Sequence, residues 1–127
     1  MPRISASGQD YLEAILVLSA ERENVRSIDI AERLGVSRAS VSRALNLLLE
    51  EGYIEKEHYS PIHITASGRA AGREVQERHQ ALRRFLTEIL KVSPEVAEED
   101  ACRMEHSLSY ESLTKLQQFL QDYLTVS

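Results

Sequence analysis

Gly35 separates two short segments that each repeat apolar residues at helical spacing, and this constrains the chain more than any other feature. Upstream, Ser27 is placed as a cap, Asp29 falls in the first turn, and Ile30, Ala31 and Leu34 share a face. Downstream, Ser37 is the next cap, and Val41, Leu45, Leu48 and Leu49 form the buried stripe of a helix that ends before Gly52. Helix, tight glycine turn and helix are the parts of a helix-turn-helix unit. A preceding helix, capped at Ser5 or Ser7 and ending near Glu21 to Asn24, offers Tyr11, Leu12, Ile15, Leu16 and Leu18 as its partner face.

Beyond Gly52, the Tyr- and Ile-rich segments Tyr53–Glu57 and Pro61–Thr65 flank His58-Tyr59-Ser60 and predict a small hairpin, the wing of the unit. Thr65-Ala66-Ser67-Gly68 opens a long helix through about Leu90, expected to link two lobes. Its one face carries Val75, His79, Leu82, Phe85, Leu86 and Ile89. Ser93-Pro94-Glu95 supplies a cap, a proline at the first helical position and an early acid, so a helix runs from there to about Ser107. Ser109 caps a last helix with Leu113, Leu116, Leu120 and Tyr123 as its stripe.

A net charge of −5 is unusual for a chain that binds nucleic acid, so its distribution matters more than its sum. Residues 1–73 hold nine Lys/Arg against ten Asp/Glu, and residues 74–127 hold six against ten. Gly35 to Leu49 contains Arg38 and Arg43 and no acid, so one local face can be positive. Small polar residues and arginine at the start of the second helix suit entry into the major groove of double-stranded DNA. The candidate contacts are Ser37, Arg38, Ala39, Ser40, Ser42 and Arg43. The competing reading is a three-helix lobe whose exposed Ser and Arg are only solvated.

With 43% hydrophobic and 28% charged residues the composition is that of a globular chain. No apolar run approaches the ~18 residues that span a bilayer, and Met1-Pro2-Arg3-Ile4-Ser5 lacks the apolar core of a secretory signal. A cytoplasmic protein without membrane contact is expected, and there the single cysteine, Cys102, remains a thiol.

Cys102, Glu105 and His106 stand at i, i+3 and i+4, so a helix places thiol, carboxylate and imidazole on one face within reach of one ion. A lone helical Cys is also a common core residue, and adjacent Glu-His pairs are common on surfaces. Asp10 and Glu13, three apart on the first helix, could complete a coordination sphere or simply be solvated. His79 has the same two readings, ligand or half-buried satisfied histidine.

Tyr11-Leu12-Glu13-Ala14-Ile15, the unit from Ile30 to Val41, Ile64-Thr65-Ala66-Ser67-Gly68-Arg69, Arg78-His79 and above all Asp100 to Ser109 resemble the metalloregulators of the diphtheria toxin repressor and manganese transport regulator family. The resemblance covers nearly the whole chain. It implies that Asp10, Cys102, Glu105 and His106 match one metal site, and that Glu13, His79 and Glu98 match positions of a neighbouring one, with Glu105 able to serve both. Asp10 and Glu13 are similar to the manganese branch and Cys102 to the iron branch; Arg83 stands where iron repressors place a carboxylate of their second site. The chain is similar to the short, two-lobe form of the family, without a third, SH3-like domain.

The expected fold is mainly α with a small β-hairpin wing. Residues 1–73 form a winged helix-turn-helix DNA-binding domain, and residues 74–127 form a helical metal-sensing and dimerisation domain. The expected function is a homodimeric repressor of metal-uptake genes that binds operator DNA when metal is present. Its homodimer forms through the C-terminal helices, because the stripe from Leu113 to Tyr123 exceeds what one short lobe can cover. Carboxylates favour Mn(II), whereas a Cys102 thiolate favours Fe(II) and a Cys102 backbone carbonyl does not. Fe(II) is the first expectation and Mn(II) its alternative, with Co(II) or Ni(II) able to substitute in vitro. Rival readings are a regulator of the same fold answering to a small organic ligand or to none, a purely structural dimer module, and a metal-dependent hydrolase. The last lacks any motif that places a nucleophile or base beside Cys102, Glu105 and His106.

Overall fold

The computed structural model describes residues 6–57 and 60–126. Six helices and one small hairpin follow in order: α1 (Ala6–Glu21), α2 (Ser27–Leu34), α3 (Arg38–Glu50), β1 (Ile54–Glu55), β2 (His63–Ile64), α4 (Ala66–Arg84), α5 (Pro94–Ser107) and α6 (Tyr110–Val126). The fold is therefore mainly α with a β-wing. The chain divides into two compact units, Met1–Val75 and Gln76–Ser127.

In the first unit the helix-turn-helix forms around local signals. Gly35 adopts φ 66° and its N–H reaches back to the Ala31 carbonyl, a left-handed end that a side chain would strain. Ser37 Oγ accepts the Ser40 N–H at 3.1 Å and starts α3. Ser27, expected as the cap of α2, is instead its first residue. Arg26 holds the cap position, because its N–H donates to the Asp29 carboxylate at 2.9 Å, the return half of a capping box. Ser7 lies inside α1, and Ser5 is outside the described residues.

The core of this unit joins Leu12 and Ile15 of α1, Ile30 of α2, and Val41, Leu45 and Leu48 of α3 to Val25, Ile54 and Ile62 near the wing. Burial of each such side chain stabilises by ~1.5–3 kcal/mol. The named strands of the wing are shorter than the sequence predicts: Ile54 pairs with Ile64 and Glu55 with His63, antiparallel, and the Thr65 N–H donates to the Tyr53 carbonyl at 3.0 Å. A further rung comes from outside the predicted hairpin, where the Ile62 N–H donates to the Val25 carbonyl at 2.8 Å. His58 and Tyr59 of the expected turn lie outside the described residues.

The start of α4 is locked to the end of α3. Thr65 Oγ1 donates to the Gly52 carbonyl at 2.7 Å and accepts the Gly68 N–H at 3.1 Å. Gly68 packs so closely that a Cβ there would collide with the Tyr53 carbonyl.

In the second unit, Leu82, Leu86, Ala97, Ala101 and Leu113 form a smaller core. The expected helix through Leu90 is α-helical only to Arg84 and widens into a π-turn over Phe85–Ile89. Lys91 follows in the left-handed region at φ 61°. Ser109 Oγ accepts the Ser112 N–H at 3.1 Å and starts α6 as expected. Leu113 and Leu120 of the α6 stripe are buried within the single chain. The large apolar side chains that α6 leaves exposed are aromatic: Tyr110 is 57%, Phe119 50% and Tyr123 46% exposed. Phe119 stacks on Tyr123 at 6.1 Å and meets Phe85 edge-on at 6.5 Å.

Candidate metal centre and nucleic-acid interface

α5 presents Glu98, Cys102, Glu105 and His106 at spacings of four, three and one, which places them along one face. His79 on α4 meets that face. Its Nε2 lies 2.8 Å from Glu98 Oε1 and its Nδ1 3.2 Å from Glu105 Oε2. The second Glu105 oxygen, Oε1, lies 3.3 Å from His106 Nε2. Cys102 Sγ lies 3.9 Å from His79 Nδ1, and Arg83 Nη1 lies 3.5 Å from Glu98 Oε2. Glu105 is buried, at 5% exposure, whereas Glu98 and Cys102 are exposed.

An imidazole facing a carboxylate at both nitrogens satisfies both only when both carry protons. The Glu105 hydrogen bond, with further support from Glu98, pushes His79 up from 6.5 to about 9, although burial pulls the other way. At neutral pH the cluster is thus a carboxylate ring around a bound proton.

The same donor set suits a divalent ion. His79, Glu98 and Cys102 each offer a ligand atom, all within 4.8 Å of one another. Ligand atoms bound to one ion at up to ~2.3 Å stand no more than about 4.6 Å apart, so the three residues lie within reach of one ion once their side chains reorient. Imidazole, carboxylate and thiol together fit a first-row divalent metal. The sequence grouped Cys102 with Glu105 and His106 by helical spacing; across helices its sulfur instead neighbours His79 and Glu98, and Glu105 bridges the two histidines. Asp10 and Glu13 lie on α1 of the first unit, three residues apart, Asp10 exposed and Glu13 half-buried.

The expected DNA-contact residues line up at the start of α3. Ser37, Arg38, Ala39, Ser42 and Arg43 are exposed, and Ser40 is half-buried through its bond to Ser37. Beside them runs a groove of about 630 Å³ lined by Arg26, Ser27, Arg38, Ser42, Lys56 and Ser60 among others. Arg26 and Lys56 are not among the residues the sequence singles out, and Ser27 is read there only as a cap. The available signal was the isolated Lys56 in a predicted wing and the arginine at the start of α2, where helix dipole and cation both attract anions. No helix among the described residues is long and apolar enough to cross a membrane.

Two family models and several known regulators match this chain. Residues 3–62 match the iron dependent repressor N-terminal DNA binding domain, and residues 65–125 match the iron dependent repressor metal binding and dimerisation domain. The transcriptional regulator MntR of Escherichia coli is 40% identical over 114 residues, which cover 90% of this chain and 73% of that protein. An uncharacterised helix-turn-helix-type transcriptional regulator of Methanocaldococcus jannaschii is 30% identical over 121 residues, 94% of this chain and 97% of that one. A solved manganese-dependent transcriptional repressor in complex with manganese superposes with a TM-score of 0.74 at 29% identity, over 90% of this chain and 52% of that one. The chain belongs to the diphtheria toxin repressor and manganese transport regulator family, and is a metal-dependent transcriptional regulator rather than an enzyme.

Proposed function

We propose that this protein is a homodimeric repressor of metal-ion uptake genes, with a divalent metal as its corepressor. The observation that carries the reading is the clustering of His79, Glu98 and Cys102 within 4.8 Å, with Glu105 bonded to both His79 and His106. The family resemblance adds Asp10 and Glu13 to the ligand set. Operator DNA is bound by Ser37, Arg38, Ala39, Ser40, Ser42 and Arg43, with Arg26 and Lys56 holding backbone phosphates. Dimerisation uses the exposed Phe119 and Tyr123 face of α6, whose aromatic surface favours a self-complementary partner.

For the activating ion, the position of the Cys102 sulfur beside His79 supports ligation through thiolate and hence Fe(II). Mn(II) is the second reading, favoured by the carboxylates and by the manganese bound in the structurally similar repressor. The test is an anaerobic titration of binding to the chain's own promoter DNA with no metal, Fe(II), Mn(II), Co(II), Ni(II) and Zn(II). Tight DNA binding only with metal is expected. Equal binding after chelation removes the corepressor role, and a stronger response to Mn(II) than to Fe(II) selects the second reading.

A further inference from the structure

We propose that Arg83 is a built-in competitor for the metal centre: its guanidinium engages one oxygen of Glu98 and thereby weakens and tunes the uptake of a divalent ion. The inference rests on the metal-centre reading above. Glu98 has a partner at each oxygen, His79 at Oε1 and the Arg83 guanidinium at Oε2. His79 and Arg83 are four residues apart on α4, so the helix that presents the imidazole also carries the guanidinium alongside it. The other arginines nearby are engaged elsewhere, Arg84 with Glu88 and Arg103 with Asp100.

The two partners of Glu98 behave differently when an ion arrives. A neutral imidazole can serve as a ligand, whereas a guanidinium cannot be deprotonated in a protein and keeps its charge. An ion must therefore take Glu98 through one oxygen beside a fixed positive charge, or turn Arg83 out into water. A divalent ion and a guanidinium ~6 Å apart in a water-like medium, partly screened by salt, repel enough to change affinity by roughly three- to tenfold. Arg83 and Glu98 are each about half exposed, which makes this a salt-sensitive adjustment rather than a block.

The test titrates the full, metal-stripped protein with Mn(II) alone, with free Mn(II) counted by electron paramagnetic resonance. The samples are the parent, Arg83→Gln, Arg83→Lys, Glu98→Gln, and Arg83→Gln combined with Glu98→Gln. Arg83→Gln is expected to tighten Mn(II) binding about three- to tenfold at low salt, with the gain at least halved in high salt. Arg83→Lys, which keeps the charge, stays within about twofold of the parent. In the Glu98→Gln background the gain from Arg83→Gln falls by half or more, because the competition runs through that carboxylate. Unchanged or weaker binding in Arg83→Gln, or the same gain in both backgrounds, overturns the proposal and leaves the metal centre standing. A parent that takes up no Mn(II) overturns both.

Discussion

The two units of this chain are stabilised by different means. In the first, Leu12, Ile15, Ile30, Val41, Leu48, Ile54 and Ile62 are at most 2% exposed and supply large apolar surfaces. The second has a smaller core, in which Leu82, Leu86 and Leu113 meet the small residues Ala97 and Ala101, and it places the buried Glu105 carboxylate one turn beyond Ala101 on α5. A buried carboxylate is tolerated only with a compensating positive charge or hydrogen-bond donors. Among the described residues the core of the first unit buries no charged side chain. The second buries Glu105 beside His79, and on the proposed reading a metal ion would take the place of the His79 proton there.

The largest expected effect tests the first half of that contrast. Ile30→Ala removes a fully buried side chain where α2 packs on its neighbours and should cost ~2–5 kcal/mol in chemical denaturation followed by circular dichroism. The loss should be the same with and without metal. If added metal restores most of it, the two units do not differ in the way described.

Next in size is Glu105→Gln. Since Glu105 bonds both His79 and His106, its loss should lower metal affinity by at least about tenfold, measured by calorimetry, while the metal-free fold changes far less. Parental affinity in this variant would show that the second unit is not organised around that carboxylate.

Ser37→Ala should act on the first unit alone. Loss of the Ser40 N–H partner costs ~0.5–2 kcal/mol of stability, and operator binding weakens because α3 begins there. Metal affinity should hold. A change in metal affinity comparable to the change in DNA binding would break the separation.

How much of this was legible in the sequence follows from how local each signal is. Gly35, Ser37 and Ser109 act on residues within one helical turn, so their caps and turn could be read directly. The misplaced cap at Ser27 turned on whether Asp29 bonds one residue earlier, at the Arg26 N–H. Val25 joining Ile62 and Cys102 meeting His79 link positions far apart in the chain. Helical spacing along α5 alone could not reveal the second of these. The α6 stripe predicted which residues are apolar but not which neighbour covers them: Leu113 and Leu120 were already buried, and Phe119 was the overlooked exposed member.

The smallest effect concerns pH and separates the units most cleanly. His79 titrates near 9 in the folded protein against 6.5 for the ordinary group, so the folded state binds the proton more tightly than the unfolded state. Its contribution to stability is complete below about pH 6.5 and disappears as pH rises through about 9. The metal-free protein should accordingly lose thermal stability over that window, modestly, because part of the cluster faces water that screens it. A bound ion needs the imidazole neutral, so metal uptake at pH 7–8 should release a proton from His79, visible as a dependence of calorimetric heat on buffer ionisation. The loaded protein should show a flatter stability profile over the same range. His79→Gln should remove both the slope and the proton release, while the first unit's response to Ile30→Ala stays as it was. A metal-free profile that is flat from pH 6.5 to 9 would mean that the proton does not occupy the place assigned here to the metal.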